Sequence, residues 1–281
     1  MLRLLIALGA LFAASLVLSL PAAAPADPPD DLGADALWVW SWEGSAELTD
    51  FTVAAGFERV YLYAQGGFGP HVRAAIADLR DGGVVVEALG GERRWATTDR
   101  GGMLAFVRSA RRYQRGAPPG ARLAGIHVDV EPYGLRAWDR HERRTQRDLV
   151  DSLRAARRAA GPLPLAADIP FWFDGIRLGP GSLAEATIAA TDGVTIMAYR
   201  DSADEVIDVA RREVRIAGEL GRRATVGVET GDYDPPSITF FQEGRAALAA
   251  ALAAVDARLG ARPGFGGTAV HHYGSLVALR P

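Results

Sequence analysis

Three ionisable side chains occupy alternate positions of an apolar segment, Leu123–Tyr133. Side chains alternate between the two faces of a β-strand, so His127, Asp129 and Glu131 share one face of this predicted strand. Ionisable groups on such a face cost free energy unless they meet partners, a ligand or water. Pro132 ends the strand and leaves Glu131 at its carboxyl tip. A structural ion-pair network is one interpretation; we favour the other, a catalytic or ligand-binding carboxylate site.

A further acidic residue, Glu229, ends another predicted strand, where it shares a face with Thr225 and Gly227. Cleavage of a glycosidic bond requires a protonated acid for the leaving oxygen. It also requires a carboxylate nucleophile roughly 5 Å away or a substrate group in its place. Glu131 and Glu229 would supply both carboxyl groups if their strand tips face each other, with room above Gly227. We therefore predict hydrolysis by paired carboxylates, with Glu131, Glu229 and Asp129 as the catalytic residues.

These carboxyl groups need a scaffold that brings several strand ends together. Apolar strand-like segments alternate with amphipathic helical segments along the rest of the chain. The predicted strands are Ala36–Ser41, Arg59–Ala64, Gly83–Ala88, Leu123–Val130, Leu163–Ile169, Gly193–Tyr199, Ala224–Glu229 and Gly267–Tyr273. The predicted helices are Pro70–Arg80, Met103–Arg115, Arg143–Ala159, Ser182–Ala190, Glu205–Leu220 and Phe241–Leu259.

This alternation favours an α/β fold, a single (β/α)8 barrel of the TIM type that covers residues 36–281. A doubly wound open sheet is the alternative. However, Ser41–Gly44 follows the first strand, where such a fold carries a glycine-rich phosphate motif. Only Gly274–Pro281 follows the eighth strand. We therefore expect a reduced eighth helix and closure by this stub or by the N-terminal tether.

Polar and aromatic residues collect at the carboxyl ends of the predicted strands, the end of a (β/α)8 barrel that carries the active site. Aromatic faces with a polar edge suit stacking against a sugar ring. Each residue alone has a structural interpretation, in the core or beside an arginine, so the collective pattern carries the prediction. The predicted substrate-binding residues are Trp40, Trp42, Glu87, Trp95, Asp168, Trp172, Tyr199, His271 and Tyr273.

The chain resembles (β/α)8 glycoside hydrolases in two ways. Family 18, the chitinase-like enzymes, carries Asp-x-Asp-x-Glu on its fourth strand and Met-x-Tyr on its sixth. This sequence has His127-Val-Asp129-Val-Glu131 and Met197-Ala-Tyr199, with His127 at the position of the first aspartate. The resemblance implies that Glu131 is the general acid, that Asp129 orients a substrate acetamido group, and that Tyr199 hydrogen-bonds its carbonyl.

The second resemblance is to clan A retaining glycosidases. Their acid/base lies in an Asn-Glu-Pro sequence on the fourth strand, and their nucleophile is a glutamate on the seventh. Val130-Glu131-Pro132 and Glu229 match in position, with Val130 in place of the asparagine. This resemblance implies that Glu229 is the nucleophile. We favour that mechanism over the substrate-assisted one, because Glu229 would otherwise be a costly unpaired carboxylate at the barrel mouth.

Two other functions stay open. A non-catalytic carbohydrate-binding barrel would keep the aromatic residues without turnover, although a lectin needs no carboxylate pair. A metal-dependent hydrolase is the second alternative, but Trp38-Val-Trp40 lies on the first strand, where such barrels often carry His-x-His. Its potential ligands are His127, Asp129, Glu131, His271 and His272. We predict no metal and no cofactor, and we interpret Asp232–Pro236 as a rigid turn.

The N-terminus predicts export. Arg3 precedes an apolar run, Leu4–Leu20, and the small residues Ala24-Pro-Ala26 follow, in the manner of a secretory signal peptide covering residues 1–26. The run is also close to the length of a membrane span, so an uncleaved N-terminal anchor is the alternative. Residues 27–35 would form a short tether before the barrel.

The composition limits the partners. The chain has no cysteine, so an exported form relies on its core and not on disulfides. The formal net charge is −3 and no basic run occurs, which argues against a nucleic-acid partner. We expect a monomer that binds a carbohydrate, an oligosaccharide or a polysaccharide.

Overall fold

The computed structural model describes residues 31–281. The predicted signal peptide and tether residues 27–30 lie outside the described residues. Within the described range the strands are β1 Ala36–Val39, β2 Arg59–Tyr63, β3 Val85–Gly91, β4 Gly125–Asp129, β5 Leu165–Pro170, β6 Arg177–Leu178, β7 Gly181–Ser182, β8 Gly193–Met197, β9 Arg223–Glu229 and β10 Phe265–His271. The helices are α1 Ser45–Ala54, α2 Pro70–Asp81, α3 Arg100–Gly116, α4 Arg136–Arg140, α5 Glu142–Ala160, α6 Leu183–Ala190, α7 Ala203–Glu219, α8 Arg245–Leu259 and α9 Tyr273–Ala278.

Eight parallel strands close into a barrel, which confirms the predicted (β/α)8 fold. Their order around the barrel is β1, β2, β3, β4, β5, β8, β9 and β10, and β10 pairs again with β1. The remaining two strands, β6 and β7, form a small antiparallel hairpin before α6. No helix of the described residues is long and apolar enough to cross a membrane.

Alternation of side chains along β4 places two kinds of residue on its two faces. Ile126 and Val128 pack into the apolar layer between the strands and the helices. His127 faces the barrel interior, where its ring contacts Trp38 and Tyr61. A second, smaller apolar cluster fills that interior and contains Ala36, Trp38, Tyr61, Leu89 and Ala269.

Gly227 is required by this interior packing. A Cβ atom at that position would lie 2.7 Å from the Trp38 ring, closer than side chains tolerate. The room that was predicted beside Gly227, beneath Glu229, is therefore occupied by the Trp38 indole.

Four predicted strand ends, those of β1, β3, β8 and β10, are wrong by two or three residues, and two of these errors change the position of a predicted site residue. β3 continues to Gly91, so Glu87 lies inside the strand and not at its end. β10 ends at His271, and Tyr273 begins α9. Helix α1 was not predicted, because only Leu48 and Thr52 of its residues are buried and it lacks a continuous apolar stripe.

The barrel closes with short pieces at both ends of the described chain. The last helix, α9, has six residues, which confirms the expected reduction of the eighth helix. Leu32 and Ala34, from the predicted tether, are buried in the main apolar core. The carboxylate of Asp35 accepts a hydrogen bond of 2.6 Å from the Thr268 amide. This part of the tether therefore packs against the barrel.

Candidate active site

A row of charged groups forms the floor of the barrel mouth. The fully buried imidazole of His127 places Nδ1 3.2 Å from Glu87 Oε2 and Nε2 2.7 Å from Asp168 Oδ1. Arg59 contacts the other oxygen of Glu87 at 2.5 Å. The Trp38 indole donates to Asp168 Oδ2 at 3.2 Å. These contacts run through the barrel interior from β2 to β5.

Glu87 and Asp168 were predicted to bind substrate, and the structure places both in this floor. Burial acts to raise the pKa of Glu87, but His127 and Arg59 outweigh it, so the pKa lies below its usual value. Asp168 is 6% exposed, and His127 and Trp38 take both of its oxygens. The assignment of Glu87 to the mouth is wrong, because β3 is longer than predicted.

Asp129 and Glu131 lie above this floor, at the exit of β4. Asp129 is the last residue of the strand, and Pro132 begins a short 3-10 turn immediately after Glu131. Within the described chain, Asp129 Oδ1 is buried without a hydrogen-bond partner. The Tyr133 hydroxyl donates to Glu131 Oε1.

The electrostatic surroundings of Asp129 favour its protonated form. Burial raises the pKa of Asp129 well above its usual value, and the charges of Glu131 and Asp168 raise it further. His127 and Arg93 act in the opposite direction without reversing the shift. Repulsion by neighbouring carboxylates thus adds to burial in holding a proton on Asp129.

Glu229 is held firmly at the end of β9. Its Oε1 accepts hydrogen bonds from the amides of Thr230, at 2.8 Å, and Gly231, at 2.7 Å. Its Oε2 lies 2.7 Å from His271 Nδ1, and the Trp40 indole donates to His271 Nε2 at 3.0 Å. Burial raises the pKa of Glu229, but His271 and the two amides lower it below the usual value. Glu229 is 2% exposed, so its oxygens meet protein groups.

Tyr199 lies among all four carboxyl groups of the mouth. It follows β8 at the barrel rim, and its ring centroid is 5.9 Å from that of His271. Burial raises the pKa of the phenol well above its usual value, and Glu229, Asp168, Asp129 and Glu131 raise it further. The hydroxyl is therefore protonated at neutral pH and available as a hydrogen-bond donor.

An aromatic cluster extends from Glu131. The Tyr133 ring meets Trp172 edge to face at 5.1 Å, and Trp138 stacks on Phe173 at 6.1 Å. Trp172 and Trp138 are half-buried, so parts of both rings face solvent. Of the predicted aromatic residues, Trp172 is thus brought close to the Asp129 and Glu131 pair through Tyr133.

Three predicted binding residues lie in other surroundings. Trp95 is buried against Phe106 of α3, and its prediction as a sugar contact is wrong, because its turn folds beneath that helix. Tyr273 opens α9 and packs edge to face on Phe51 of α1. Trp42 is half-buried and stacks on His71, with the ring centroids 4.7 Å apart.

Two tyrosines near the carboxyl groups were missed. Tyr133 follows Pro132, and its proximity to Glu131 in the chain was the signal that could have identified it. Tyr233 lies in the turn after β9 and is 41% exposed. Burial raises its pKa, and so do the charges of Glu229 and Glu131, which places the phenol near both. The rigid-turn interpretation of Asp232–Pro236 overlooked this side chain.

The histidines of the mouth contact carboxylates, as described for His127 and His271. Among residues 31–281, no group of three or more His, Asp or Glu side chains is arranged to hold a metal ion.

Several solved structures share this fold. A class V chitinase from Pseudomonas fluorescens Pf-5 has a TM-score of 0.56 at 15% identity, over 87% of this chain and 98% of that one. A chitinase from Bacteroides thetaiotaomicron has a TM-score of 0.55 at 11% identity, over 88% and 95%. The glycoside hydrolase domain of PelA from Pseudomonas aeruginosa has a TM-score of 0.51 at 13% identity, over 86% and 96%.

The chain therefore shares its (β/α)8 barrel fold with these solved structures, and this is the fold that the sequence resemblance implied. At the level of sequence, neither a family model nor a curated protein matches the chain.

Proposed function

We propose that this protein hydrolyses glycosidic bonds of sugars that carry a 2-acetamido group, with Glu131 as the general acid. The observation that carries the proposal is the buried, unpartnered Oδ1 of Asp129, two residues before the acid at the same strand exit. An unsatisfied buried acceptor costs free energy, and an amide N–H of a substrate would satisfy it. The glycoside hydrolase fold of the chain agrees with this chemistry.

Glu131 is suited to the acid role by its position. It is half-buried at the mouth, and Tyr133 holds one of its oxygens. The raised pKa of Asp129 keeps a proton at the strand exit beside Glu131, where a leaving glycosidic oxygen needs one. Tyr199, with a protonated hydroxyl, is the donor suited to the acetamido carbonyl.

The free acceptor also supports one of the two candidate mechanisms over the other. Glu229 uses both oxygens for Thr230, Gly231 and His271. Among the described residues, Oδ1 of Asp129 has no hydrogen-bond partner and can accept one from a substrate. We therefore propose the substrate-assisted mechanism, in which Glu229 is a structural anchor. This reverses the preference that the sequence supported, whose premise was an unpaired Glu229.

The proposed reaction has two steps. In the first, the acetamido oxygen of the substrate attacks the anomeric carbon, the glycosidic bond breaks, and Glu131 transfers its proton to the leaving oxygen. Asp129 accepts the amide N–H and stabilises the cyclic oxazolinium cation that forms. In the second step, water attacks the anomeric carbon, the ring opens, and Glu131 takes a proton from that water. The enzyme returns to its initial protonation state, and the anomeric configuration is retained.

The test is a comparison of matched substrates. Oligosaccharides of N-acetylglucosamine and of N-acetylgalactosamine are incubated with the protein beside their de-N-acetylated counterparts. Turnover is expected with an acetylated series only. Glu131→Gln should abolish it, and Glu243→Gln, a change at an exposed glutamate, should not. Turnover of the deacetylated series at the same rate would contradict the substrate-assisted mechanism. Oligosaccharide binding without turnover would favour the carbohydrate-binding barrel.

We also propose that the protein is exported. The support is the sequence pattern of residues 1–26, a basic residue, an apolar run and a small-residue end. N-terminal sequencing of material from the culture medium should begin near Asp27. Recovery of the intact N-terminus in a membrane fraction would favour the anchored alternative.

A further inference from the structure

His127 occupies an unusual position for a histidine. Its side chain has no exposure to solvent, and each ring nitrogen points at a carboxylate oxygen, of Glu87 on β3 and of Asp168 on β5. An ionised carboxylate only accepts hydrogen bonds. Both ring nitrogens must therefore carry hydrogen if both carboxylates are ionised.

Both carboxyl groups also bind a donor other than His127. Arg59 contacts Glu87 at 2.5 Å, and the Trp38 indole donates to Asp168 at 3.2 Å. Hydrogen bonds to an ionised carboxylate are stronger than those to a neutral carboxyl group, so a proton on either acid would weaken these contacts. The simplest arrangement that satisfies all these groups is a doubly protonated imidazole between two carboxylates.

The aromatic ring against His127 also favours a cation. Tyr61 on β2 lies with its ring centroid 3.8 Å from that of His127, at an interplanar angle of 26°. The face of an aromatic ring carries negative potential and attracts a cation above it. The Tyr61 hydroxyl points away to Thr195 on β8, at 3.2 Å, so it does not compete for the imidazole nitrogens.

We propose that His127 is a permanent imidazolium, and that it is the positioning residue that offsets the charge of Asp168 beneath Asp129. The role of His127 towards Asp129 as a catalytic group rests on the proposed function. The charge of His127 is independent of the proposed function, because it follows from the contacts of its ring nitrogens. In this arrangement the cation of His127 lies at the position where the family 18 motif has its first aspartate.

The two charges in direct contact with His127, those of Asp168 and Glu87, are both negative. Burial lowers its pKa, but Asp168 and Glu87 outweigh burial and raise the pKa to about 10. On β2, Arg59 is a cation, and it contacts Glu87. Tyr61, also on β2, is uncharged because burial and the charge of Glu87 raise its pKa. Asp129, on β4 itself, is the remaining acid nearby. The imidazole thus stays charged throughout the neutral range.

The effect on Asp129 has a definite sign. His127 lowers the pKa of Asp129, whereas Asp168 raises it. Replacing His127 by a neutral residue leaves the Asp168 charge uncompensated, so the pKa of Asp129 moves upward. The limb of the pH profile of hydrolysis that reports Asp129 should therefore shift upward, by about one pH unit.

The charge is tested by NMR of the protein with 15N-labelled histidine. Both ring nitrogens of His127, assigned by their loss in His127→Asn, should show the protonated shift from pH 5 to pH 9. A ring nitrogen without hydrogen at pH 7 would overturn the proposal, whatever the activity of the protein. Asp168→Asn is the second variant, should His127→Asn not fold. It should lower the pKa of His127, and an unchanged pKa would equally overturn the proposal.

The positioning role is tested by two variants and two measurements. In His127→Asn, the titration of the Asp129 carboxyl carbon, followed by 13C NMR, and the kcat profile should both shift to higher pH. In the double variant His127→Asn/Asp168→Asn, which removes the cation together with its anion, both should return towards the wild type. An unchanged carboxyl titration in His127→Asn would overturn the role. The carboxyl titration needs no turnover, so an inactive wild type would defeat the proposed function alone.

Discussion

The barrel contains two histidine–carboxylate pairs that differ in their third partner. On the floor, His127 meets a second carboxylate, so both of its ring nitrogens face acceptors. At the rim, His271 Nδ1 faces Glu229, but its Nε2 faces the N–H of Trp40, which only donates. The first arrangement requires an imidazolium, and the second is satisfied by a neutral ring with its hydrogen on Nδ1.

At the rim, opposing effects act on the pKa of His271. Burial lowers the pKa of His271, and Glu229 outweighs burial and raises it. The indole hydrogen bond acts against Glu229, because it is made only to a nitrogen without hydrogen. A contact with one carboxylate is therefore not enough to fix the charge of a histidine, and the group on the opposite side of the ring decides it.

The largest expected effect concerns the carboxyl group above the floor. Asp129→Asn keeps the shape of the side chain but removes the charge that would stabilise the oxazolinium cation. We expect kcat on an acetylated substrate to fall by about 10²–10⁴-fold, the range typical of such catalytic groups. Steady-state kinetics measure this fall in kcat, and Asp50→Asn, at an exposed position of α1, is the matched control. A fall of less than tenfold would remove Asp129 from the mechanism.

At the rim, loss of the carboxylate should harm stability more than chemistry. Glu229→Ala leaves the amides of Thr230 and Gly231 and the imidazole of His271 without their acceptor. We expect the free energy of unfolding to fall by about 3 kcal/mol, since each unsatisfied buried group costs about 1–3 kcal/mol. Denaturant unfolding measures the loss.

The same variant separates an anchor from a nucleophile. Residual turnover of Glu229→Ala should not increase with azide, and an activated 2-fluoro sugar should form no adduct on the wild type. A covalent adduct at Glu229, or rescue by azide, would restore the nucleophile assignment and break the distinction drawn between rim and floor.

A third buried carboxyl group shows the result when no histidine is present. Glu213 of α7 is fully buried, and neither of its oxygens has a partner among the described residues. Burial raises its pKa from 4.5 to about 8, and Asp174 contributes. The carboxyl groups of Glu87 and Glu229, beside histidines, have lowered pKa values.

This difference predicts a pH dependence of stability. The folded protein holds the Glu213 proton more tightly than the unfolded chain, so its contribution to stability is lost as pH rises from 4.5 to about 8. Glu213→Gln removes the titration. Relative to wild type, the variant should gain about 2–4 kcal/mol in the free energy of unfolding between pH 5 and pH 8. A constant difference between the two proteins over that range would contradict the prediction.

The sequence predicted the fold and one face of the site because both depend on local patterns. Alternation along β4 was sufficient to put His127 and Asp129 on the interior face. The partners of His127 lie 40 and 41 residues away, on β3 and β5, and no local pattern pairs them. Glu87 was misplaced because an error of three residues in the end of β3 moves a side chain from the mouth to the floor.

Aromatic residues show the same limit. Trp95 and Trp172 both follow strands, and no local sequence pattern distinguishes a buried ring from an exposed one at these positions. The fold buries Trp95 under α3 and leaves Trp172 half-buried beside Tyr133. Which of two aromatic rings is covered depends on the path of the following helix, and that path is set by packing across the whole barrel.

The smallest expected effect tests the role of the third partner directly. Trp40→Phe keeps a ring at the rim but removes the N–H that occupies His271 Nε2. Because that hydrogen bond favours the neutral imidazole, its loss should raise the pKa of His271, by about 0.5–1 unit. Histidine NMR titration measures the change, and Trp42→Phe, whose indole does not contact His271, is the matched control. His127 should not respond, because both of its partners are acceptors on the floor. An unchanged His271 would show that the indole hydrogen bond does not set its charge, and the contrast between floor and rim would then rest on the second carboxylate alone.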